Sequence, residues 1–229
     1  LRFAALGVLI FSTNFVLFYY GGQHLASGLL SVVFSLASVI NMLLGALFFR
    51  QPLEGRVALG AAIGVSGIAL VFWPEIAGTE FDHAALVGLL FYVAGTLSFC
   101  LGNMVSAASQ KRRLPVVSTN AWGMAYGAIA LGLFAFVRGD TFAIDPSVHY
   151  VGSLVWLAVI SSVIAFAAYL TLLGRIGSSR AGYLTVMFPV IALAISTFAE
   201  GYHWTLPAVA GLILVLFGNV VVLTRGRQK

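Results

Sequence analysis

Residues 3–49 read FAALGVLIFSTNFVLFYYGGQHLASGLLSVVFSLASVINMLLGALFF and contain no Asp, Glu, Lys or Arg. A helix that crosses a bilayer needs about 20 mostly apolar residues, so these 47 residues are long enough for two such helices. The polar group Gly21-Gly22-Gln23-His24 interrupts the stretch near its middle. The stretch therefore predicts two membrane-spanning helices that are joined by a tight turn.

Six further uncharged runs follow along the chain. They are Val57–Pro74, Ala84–Gln110, Leu114–Val137, Tyr150–Gly174, Ala181–Ala199 and His203–Thr224. Membrane-spanning β-strands are about 10 residues long and alternate polar with apolar side chains, whereas these runs are about twice that length and do not alternate. Helices are the other structure that satisfies every backbone hydrogen bond inside a bilayer. The sequence thus predicts an all-α, polytopic membrane helix bundle with eight transmembrane helices in this chain.

The composition agrees with a membrane protein. Apolar residue types make up 61 % of the 229 residues and charged types only 8 %, and the mean hydropathy is +1.04. A soluble domain has about 45–50 % apolar and about 25 % charged residues. These values exclude a soluble enzyme and a disordered chain, and the single cysteine, Cys100, excludes a secreted disulfide scaffold.

The charged residues sort onto two sides of the predicted bundle. One side, here called the basic side, holds Glu54 and eleven of the twelve Lys and Arg residues: Arg2, Arg50, Arg56, Lys111, Arg112, Arg113, Arg175, Arg180, Arg225, Arg227 and Lys229. The other side, here called the acidic side, holds Arg138 and the acids Glu75, Glu80, Asp82, Asp140, Asp145 and Glu200. The positive-inside rule predicts that the basic side and both termini are cytoplasmic, in a cell inner (plasma) membrane. Basic loops beside lipid head groups require no nucleic-acid partner.

A shift of 151 residues lays the second half of the chain on the first half. Span ends and turns then coincide, with Ser27 on Ser178, Ser38 on Pro189, Gly60 on Gly211 and Gly67 on Gly218. The shift contains five spans, an odd number, so the two copies have opposite orientations in the membrane. Inverted repeats of this kind are a recurrent architecture of secondary transporters.

The repeat also predicts helices outside this chain. Two spans precede the second copy and none precedes the first, so two more are expected before Leu1, for ten in all. The first repeat is then residues 1–75, holding its last three helices, and the second is residues 84–229, with five helices. The alternative is an eight-span protein whose similar helix triplets are accidental.

Particular residues of the two copies resemble a known repeat. The first copy carries Ser27–Ser38, Gly45–Arg50, Gly60 and Gly67, and the second carries Gly177–Gly182, Phe188-Pro189, Glu200, Gly211 and Gly218. Both are similar to the EamA repeat of the drug/metabolite transporter superfamily, which has a small-residue turn, a span with a central Pro or small polar residue, an acidic end and a glycine-spaced last helix. The first copy departs from this pattern, since it has Gln51 or Glu54 where an acidic residue is usual.

The resemblance implies a fold and a class of function. Members of this superfamily have ten spans, two inverted five-helix halves and cytoplasmic termini. They include exporters of amino acids and other metabolites, and relatives that carry sugar phosphates or nucleotide sugars. In the family the first helix helps to line the pathway, and that helix is expected to precede this sequence.

The candidate substrate-binding residues are neutral polar or bulky side chains inside the spans. No Asp, Glu, Lys or Arg lies inside any span, which argues against a carboxylate-based proton pump in these helices. The predicted substrate-binding set is Asn14, Ser35, Ser38, Asn41, Tyr92, Thr96, Asn103, Ser162, Tyr169 and Pro189. Asn14 lies deep in its span, where a buried amide needs several hydrogen-bond partners. Pro189 is in the middle of its span, where a kinked helix often frames a transporter site.

Structural alternatives stand beside these assignments. Small serines also let helices approach and hydrogen-bond across the contact, and a proline kink also occurs far from any substrate. Gly60, Gly64 and Gly67 share one face, as do Gly123 and Gly127, and this spacing is typical of close helix packing within a chain or across a weak homodimer.

The sequence therefore predicts a secondary transporter of small molecules that works by alternating access through a central neutral cavity. Amino acids or related zwitterionic or aromatic compounds are the expected substrates, moving outward. The alternatives are a passive channel, a carrier of nucleotide sugars or cationic drugs, and a non-transporting membrane protein such as an enzyme or assembly subunit. No catalytic cluster is seen, and His24, His83, His149 and His203 lie in loops or at span ends, so no enzyme activity, metal or cofactor is predicted.

Overall fold

A computed structural model of the protein describes residues 1–50, 55–73, 83–141, 145–166, 168 and 178–223, with the backbone alone for residues 178–186. These residues form eight helices. The helices are α1 (Arg2–Gly22), α2 (Ser27–Phe49), α3 (Gly55–Val71), α4 (His83–Gln110), α5 (Val116–Arg138), α6 (Val148–Ile164), α7 (Ser178–Ala199) and α8 (Leu206–Leu223).

The predicted all-α membrane bundle is confirmed over the described ranges. Five helices, namely α1, α2, α4, α5 and α8, are long and apolar enough to cross a membrane. Shorter apolar helices are α3, α6 and the part of α7 over Met187–Ala199. The ten-helix total and the repeat boundaries at residues 1–75 and 84–229 stay predictions.

Most helix ends differ from the predicted ones by a few residues, and the predicted end of α6, Gly174, lies outside the described residues. Helix α1 continues through Gly21 and Gly22, and the chain turns over residues 23–26, slightly later than predicted. Arg56, His83 and Arg138 lie in terminal helical turns rather than in loops. Long polar side chains at helix ends reach the membrane interface while their backbone remains helical, so charge boundaries and helix boundaries need not coincide.

Helices α3 and α8 pack against each other through glycines. A Cβ atom placed on Gly60 would lie 2.7 Å from the carbonyl oxygen of Gly218, and one placed on Gly67 would lie 2.7 Å from that of Gly211. The helices are therefore antiparallel, and their backbones are in direct contact. The 151-residue shift converts the first contact into the second, because Gly60 corresponds to Gly211 and Gly67 to Gly218. The predicted packing role of these glycines is confirmed.

Two helices carry the same local irregularity at equivalent positions. Leu9–Thr13 of α1 and Trp156–Ile164 of α6 are wound as π-helix. A shift of 151 residues places Leu9–Thr13 on residues 160–164, which lie inside the second π-helical segment. π-Helical turns are rare, so this coincidence supports the inverted repeat independently of residue identity.

Helix α1 packs between α4 and α5 because glycines make room for it. Ile10 lies against Gly102 of α4. A Cβ atom placed on Gly95 of α4 would lie 3.2 Å from the Asn14 carbonyl oxygen. On its other side, Gly7 lies against Gly123 of α5. The face of α1 that includes Asn14 is thereby enclosed against α4.

Helix α2 is interrupted near its centre. Its two α-helical parts are Ser27–Phe34 and Ala37–Phe49, with a turn at Ser35 and Leu36. The Ser35 hydroxyl donates to the Val32 carbonyl oxygen at 2.7 Å, and such back-bonding tends to bend helices. The equivalent helix α7 contains Pro189. Both copies thus have a helix-bending residue near the centre of equivalent helices. In α2 it is a serine that bonds back to the helix, and in α7 it is a proline.

Candidate functional site

A cavity of about 250 Å³ lies between α1 and α2. It is lined by Phe18, Ser27, Leu30, Ser31 and Phe34. The rings of Phe18 and Phe34 meet edge to face with centroids 6.0 Å apart. The volume is slightly below the roughly 300–1,000 Å³ typical of sites for drug-sized ligands, so it suits a small metabolite.

The polarity of this cavity is low and its lining is uncharged. The Ser31 hydroxyl donates to the Gly28 carbonyl oxygen at 2.6 Å, so its hydrogen is used within the helix. Its oxygen lone pairs are left as acceptors. Phe18, Leu30 and Phe34 were absent from the predicted site residues because aromatic and aliphatic side chains in a span look like ordinary packing residues.

Asn14 lies one helical turn before Phe18 on α1. Its side chain is 3 % exposed, and its Oδ1 atom has no hydrogen-bond partner among the described residues. A buried acceptor without a partner costs about 1–3 kcal/mol, so the position favours binding of a donor from outside the chain. Asn14 therefore stays a candidate for substrate contact.

A second buried amide differs in position. The Asn120 Nδ2 atom also lacks a partner among the described residues. Asn120 lies in the second turn of α5, before Gly123, and Gly123 packs near Gly7 of the parallel helix α1. Phe18 is eleven residues beyond Gly7, or about 16 Å at 1.5 Å per residue. Asn120 is thus remote from the cavity.

Ser35 and Ser38 are brought together by a residue that was not predicted. The Ser38 hydroxyl donates to Asn219 Oδ1 at 2.6 Å, and Asn219 Nδ2 donates to the Ser35 hydroxyl at 3.2 Å and to the Val215 carbonyl oxygen at 3.1 Å. Asn219 is 1 % exposed. The network joins α2 to α8, and the available sequence signal was a lone amide in a highly apolar span.

The predicted polar residues of α4 face α2. Asn103 Nδ2 donates to Asn41 Oδ1 at 3.4 Å. Thr96 is fully buried and donates to the Tyr92 carbonyl oxygen at 2.8 Å. The fully buried Tyr92 donates its hydroxyl to the Leu25 carbonyl oxygen at 3.3 Å in the turn before α2. These contacts hold α4 beside α2, and their role in substrate binding stays a prediction.

The remaining predicted residues lie elsewhere. The Ser162 hydroxyl donates to the Leu157 carbonyl oxygen at 2.9 Å within the π-helical part of α6. Pro189 is buried within α7. Tyr169 lies outside the described residues. The structure therefore groups Ser35 with Ser38, and Asn41 with Asn103, without joining all the predicted residues at one place.

A charged contact borders the cavity at the acidic side. Glu200 follows α7, and its Oε2 atom accepts hydrogen bonds from the Ser27 backbone N–H at 2.8 Å and from the Ser196 hydroxyl at 2.7 Å. The Ser196 hydroxyl oxygen accepts from the Gly28 backbone N–H at 2.8 Å. Hydrogen bonding with Ser27, and to a lesser extent with Ser196, lowers the pKa of the Glu200 carboxyl, so this group is a carboxylate at neutral pH.

Comparison with known proteins identifies a family. Residues 1–73 and 86–224 match the EamA-like transporter family. An uncharacterized transporter of Archaeoglobus fulgidus is 24 % identical over 221 residues, which are 96 % of this chain and 76 % of that protein. The transporter YoaV of Bacillus subtilis is 24 % identical over 211 residues, 92 % of this chain and 71 % of that protein.

A relative with a more specific name comes from Escherichia coli. It is named "probable amino-acid metabolite efflux pump" and is 24 % identical over 199 residues, which are 84 % of this chain and 66 % of that protein. The matched part thus spans about two thirds to three quarters of the length of these three relatives.

Proposed function

Because the chain belongs to the EamA-like transporter family, we propose that it exports small zwitterionic or aromatic metabolites, amino acids above all, by alternating access. The family and its helices make it a multi-pass membrane transporter rather than an enzyme. The substrate class, the direction, the mechanism and the cytoplasmic location of both termini are parts of the proposal.

The proposed substrate class is supported above all by the uncharged, aromatic lining of the cavity. Phe18 and Phe34 offer ring faces and edges, and Asn14, one turn away, offers an amide oxygen that has no partner among the described residues. The apolar body of a substrate is complementary to this lining, and a substrate N–H group that reached the buried Asn14 would give its oxygen a partner. Anionic sugar phosphates are disfavoured, because their recognition usually uses an Arg or Lys clamp.

The pairing of α3 with α8 supports alternating access. The contacts Gly60 to Gly218 and Gly67 to Gly211 are exchanged by the 151-residue shift, which supports a local two-fold axis of the inverted copies between these helices. Rocking of one repeat against the other is the usual motion of inverted-repeat transporters, and a close glycine contact at the axis is a natural pivot for it. The outward direction is supported by the efflux-pump name of the Escherichia coli relative.

Counterflow in proteoliposomes tests the proposal. Vesicles that contain the full chain are loaded with mixed amino acids, and the entry of labelled amino acids is followed. A carrier should give saturable entry that depends on the internal pool. Exchange of only a nucleotide-sugar or cationic-drug pool would overturn the substrate class and keep the transporter. Linear, unsaturable entry would indicate a channel, and no flux from folded protein with any pool would overturn transport by this chain.

Replacing Asn14 by leucine is expected to lower transport roughly five- to tenfold, the loss of about one hydrogen bond to substrate. Stability should be unchanged or higher, because the variant removes a buried polar atom that has no partner among the described residues. Initial counterflow rates and melting temperatures measure the two effects.

Asn120→Leu is the matched control for this prediction. It makes the same chemical change at a buried amide that is remote from the cavity, so transport should stay within twofold of the parent. Equal losses of transport in the two variants would show that Asn14 acts through general packing and not through substrate.

A further inference from the structure

The Glu200 contact joins the two inverted copies at one end of the bundle. Glu200 and Ser196 belong to the second copy, whereas Ser27 and Gly28 begin α2 of the first copy. Ser27 and Glu200 are 173 residues apart in sequence. A carboxylate that accepts a backbone N–H at a helix N-terminus makes a charge-assisted hydrogen bond and also interacts favourably with the helix dipole. These four residues are called the latch below.

The latch lies above a buried apolar layer. Leu29 and Val32 of α2 and Leu193 of α7 are 3 %, 0 % and 1 % exposed and belong to one hydrophobic cluster. Gly28 allows this approach, since a Cβ placed on it would be 3.0 Å from the Ser196 Cβ. Helices α2 and α7 are thus held in contact at the acidic side, with no space between them for a substrate.

The carboxylate of the latch is not repeated at the equivalent sequence position of the first copy. A shift of 151 residues places Glu200 on Phe49 and Ser27 on Ser178. The first copy therefore has an aromatic side chain where the second copy has a carboxylate. The charge-assisted bond is thus described on the acidic side alone, and Glu54, the acidic residue that follows α2 in the sequence, lies outside the described residues.

We propose that the Glu200 latch is the gate that keeps the acidic-side end of the transport pathway closed, and that it breaks once in each transport cycle. This inference rests on the alternating-access mechanism proposed above. Ser27 both lines the open cavity and donates its N–H to Glu200, so separation of α2 from α7 at the latch would extend the cavity into the buried layer between these two helices.

Accessibility of a buried position tests the gate without any transport measurement. Val32 lies one turn below Gly28 and is replaced by cysteine in a Cys100→Ala background, which removes the natural cysteine. A membrane-impermeant maleimide is then applied from the acidic side of oriented vesicles. Labelling should be slow with the latch intact and roughly three- to tenfold faster with Glu200→Gln, which keeps the shape of the side chain and removes its charge. Glu200→Ala should be at least as fast.

Asp140→Asn is the matched control for the labelling experiment. Asp140 is also an acidic-side carboxylate, about half exposed and near Arg138, and it is remote in sequence from the latch. It should leave the labelling rate of the Val32→Cys reporter unchanged. Equal rates in the parent and in both Glu200 variants would overturn the latch. Melting temperatures close to the parent value separate gate opening from partial unfolding.

A disulfide across the latch tests whether transport requires α2 and α7 to separate there. In a Gly28→Cys, Ser196→Cys pair the Cβ atoms need to move apart by less than about 1 Å to reach the 3.5–4.5 Å of a disulfide. Oxidation should abolish counterflow and slow the labelling of Val32→Cys after the pair is sealed, and reduction should restore both. Full counterflow with the disulfide intact would overturn the gate. Absence of counterflow in the parent would contradict the proposed function instead, and the labelling rates would still decide the latch.

Discussion

Replacing Gly211 by alanine is expected to lower the melting temperature of the protein by about 5–10 °C, which corresponds to roughly 2–3 kcal/mol. The new Cβ atom would lie 2.5 Å from the Gly67 carbonyl oxygen and 2.7 Å from the Val71 backbone nitrogen. Both neighbours are backbone atoms, so α3 and α8 must move apart and lose contacts along their whole interface. The cost exceeds the gain of about 1 kcal/mol that alanine brings to a helix.

Gly132→Ala in α5 is the matched control for this prediction. Beyond its own helix backbone, no atom of the described residues lies within 4 Å of the Cβ position of Gly132, so the same substitution should leave the melting temperature unchanged or raise it slightly. The melting temperatures of both variants are measured in detergent, either with a fluorescent dye that does not react with thiols or by static light scattering. Equal melting temperatures for Gly211→Ala and Gly132→Ala would contradict the close contact of α3 with α8.

Replacing Asn219 by leucine is expected to destabilise the protein by about 1–3 kcal/mol. Asn219 binds both serine hydroxyls at the break in α2, through the Ser38 hydroxyl at 2.6 Å and the Ser35 hydroxyl at 3.2 Å. Leucine has a similar size but cannot replace either bond, so the two serine hydroxyls keep only their bonds to carbonyl oxygens within α2, from Ser35 to Val32 and from Ser38 to Ser35. Chemical or thermal unfolding measures the change in the free energy of unfolding.

A mutant cycle assigns this loss to the network. In a background with Ser35→Ala and Ser38→Ala, Asn219→Leu should cost clearly less than in the parent, because the two hydroxyls that bind Asn219 are gone. An equal cost in the two backgrounds would show that Asn219 acts through packing and not through its bonds to α2.

Much of the architecture was predictable because the insertion of a helix into a membrane depends on the hydropathy of a short segment of sequence. The uncharged run Phe3–Phe49 predicted two helices, and both are present. The other described helices also begin and end within a few residues of the predicted positions, except that the predicted end of α6, Gly174, lies outside the described residues. The repeat was predictable from layout and not from identity. The matching π-helical segments and the symmetric contact of Gly60 with Gly218 now support it with geometry.

The candidate site was less predictable. Asn14 and the pair Ser35 and Ser38 were among the predicted residues, but Asn219 and the cavity residue Phe34 were not. A neutral residue in an apolar span gives the same sequence pattern whether it binds substrate, packs against another helix or faces lipid. These three roles differ only in what the residue contacts in the folded protein, and that contact can come from a residue far away in the sequence.

The sequence by itself determined the helical class and the positions of the apolar helices along the chain. These properties depend on the transfer of successive short segments from water to lipid, which is nearly additive along the chain. The tertiary structure alone decided that Gly67 meets Gly211, that Asn219 binds the break in α2 and that Glu200 binds the N–H of Ser27. Inside a bilayer, helix association depends on packing and hydrogen bonds between segments far apart in sequence, so the partners are settled by three-dimensional fit and not by local composition.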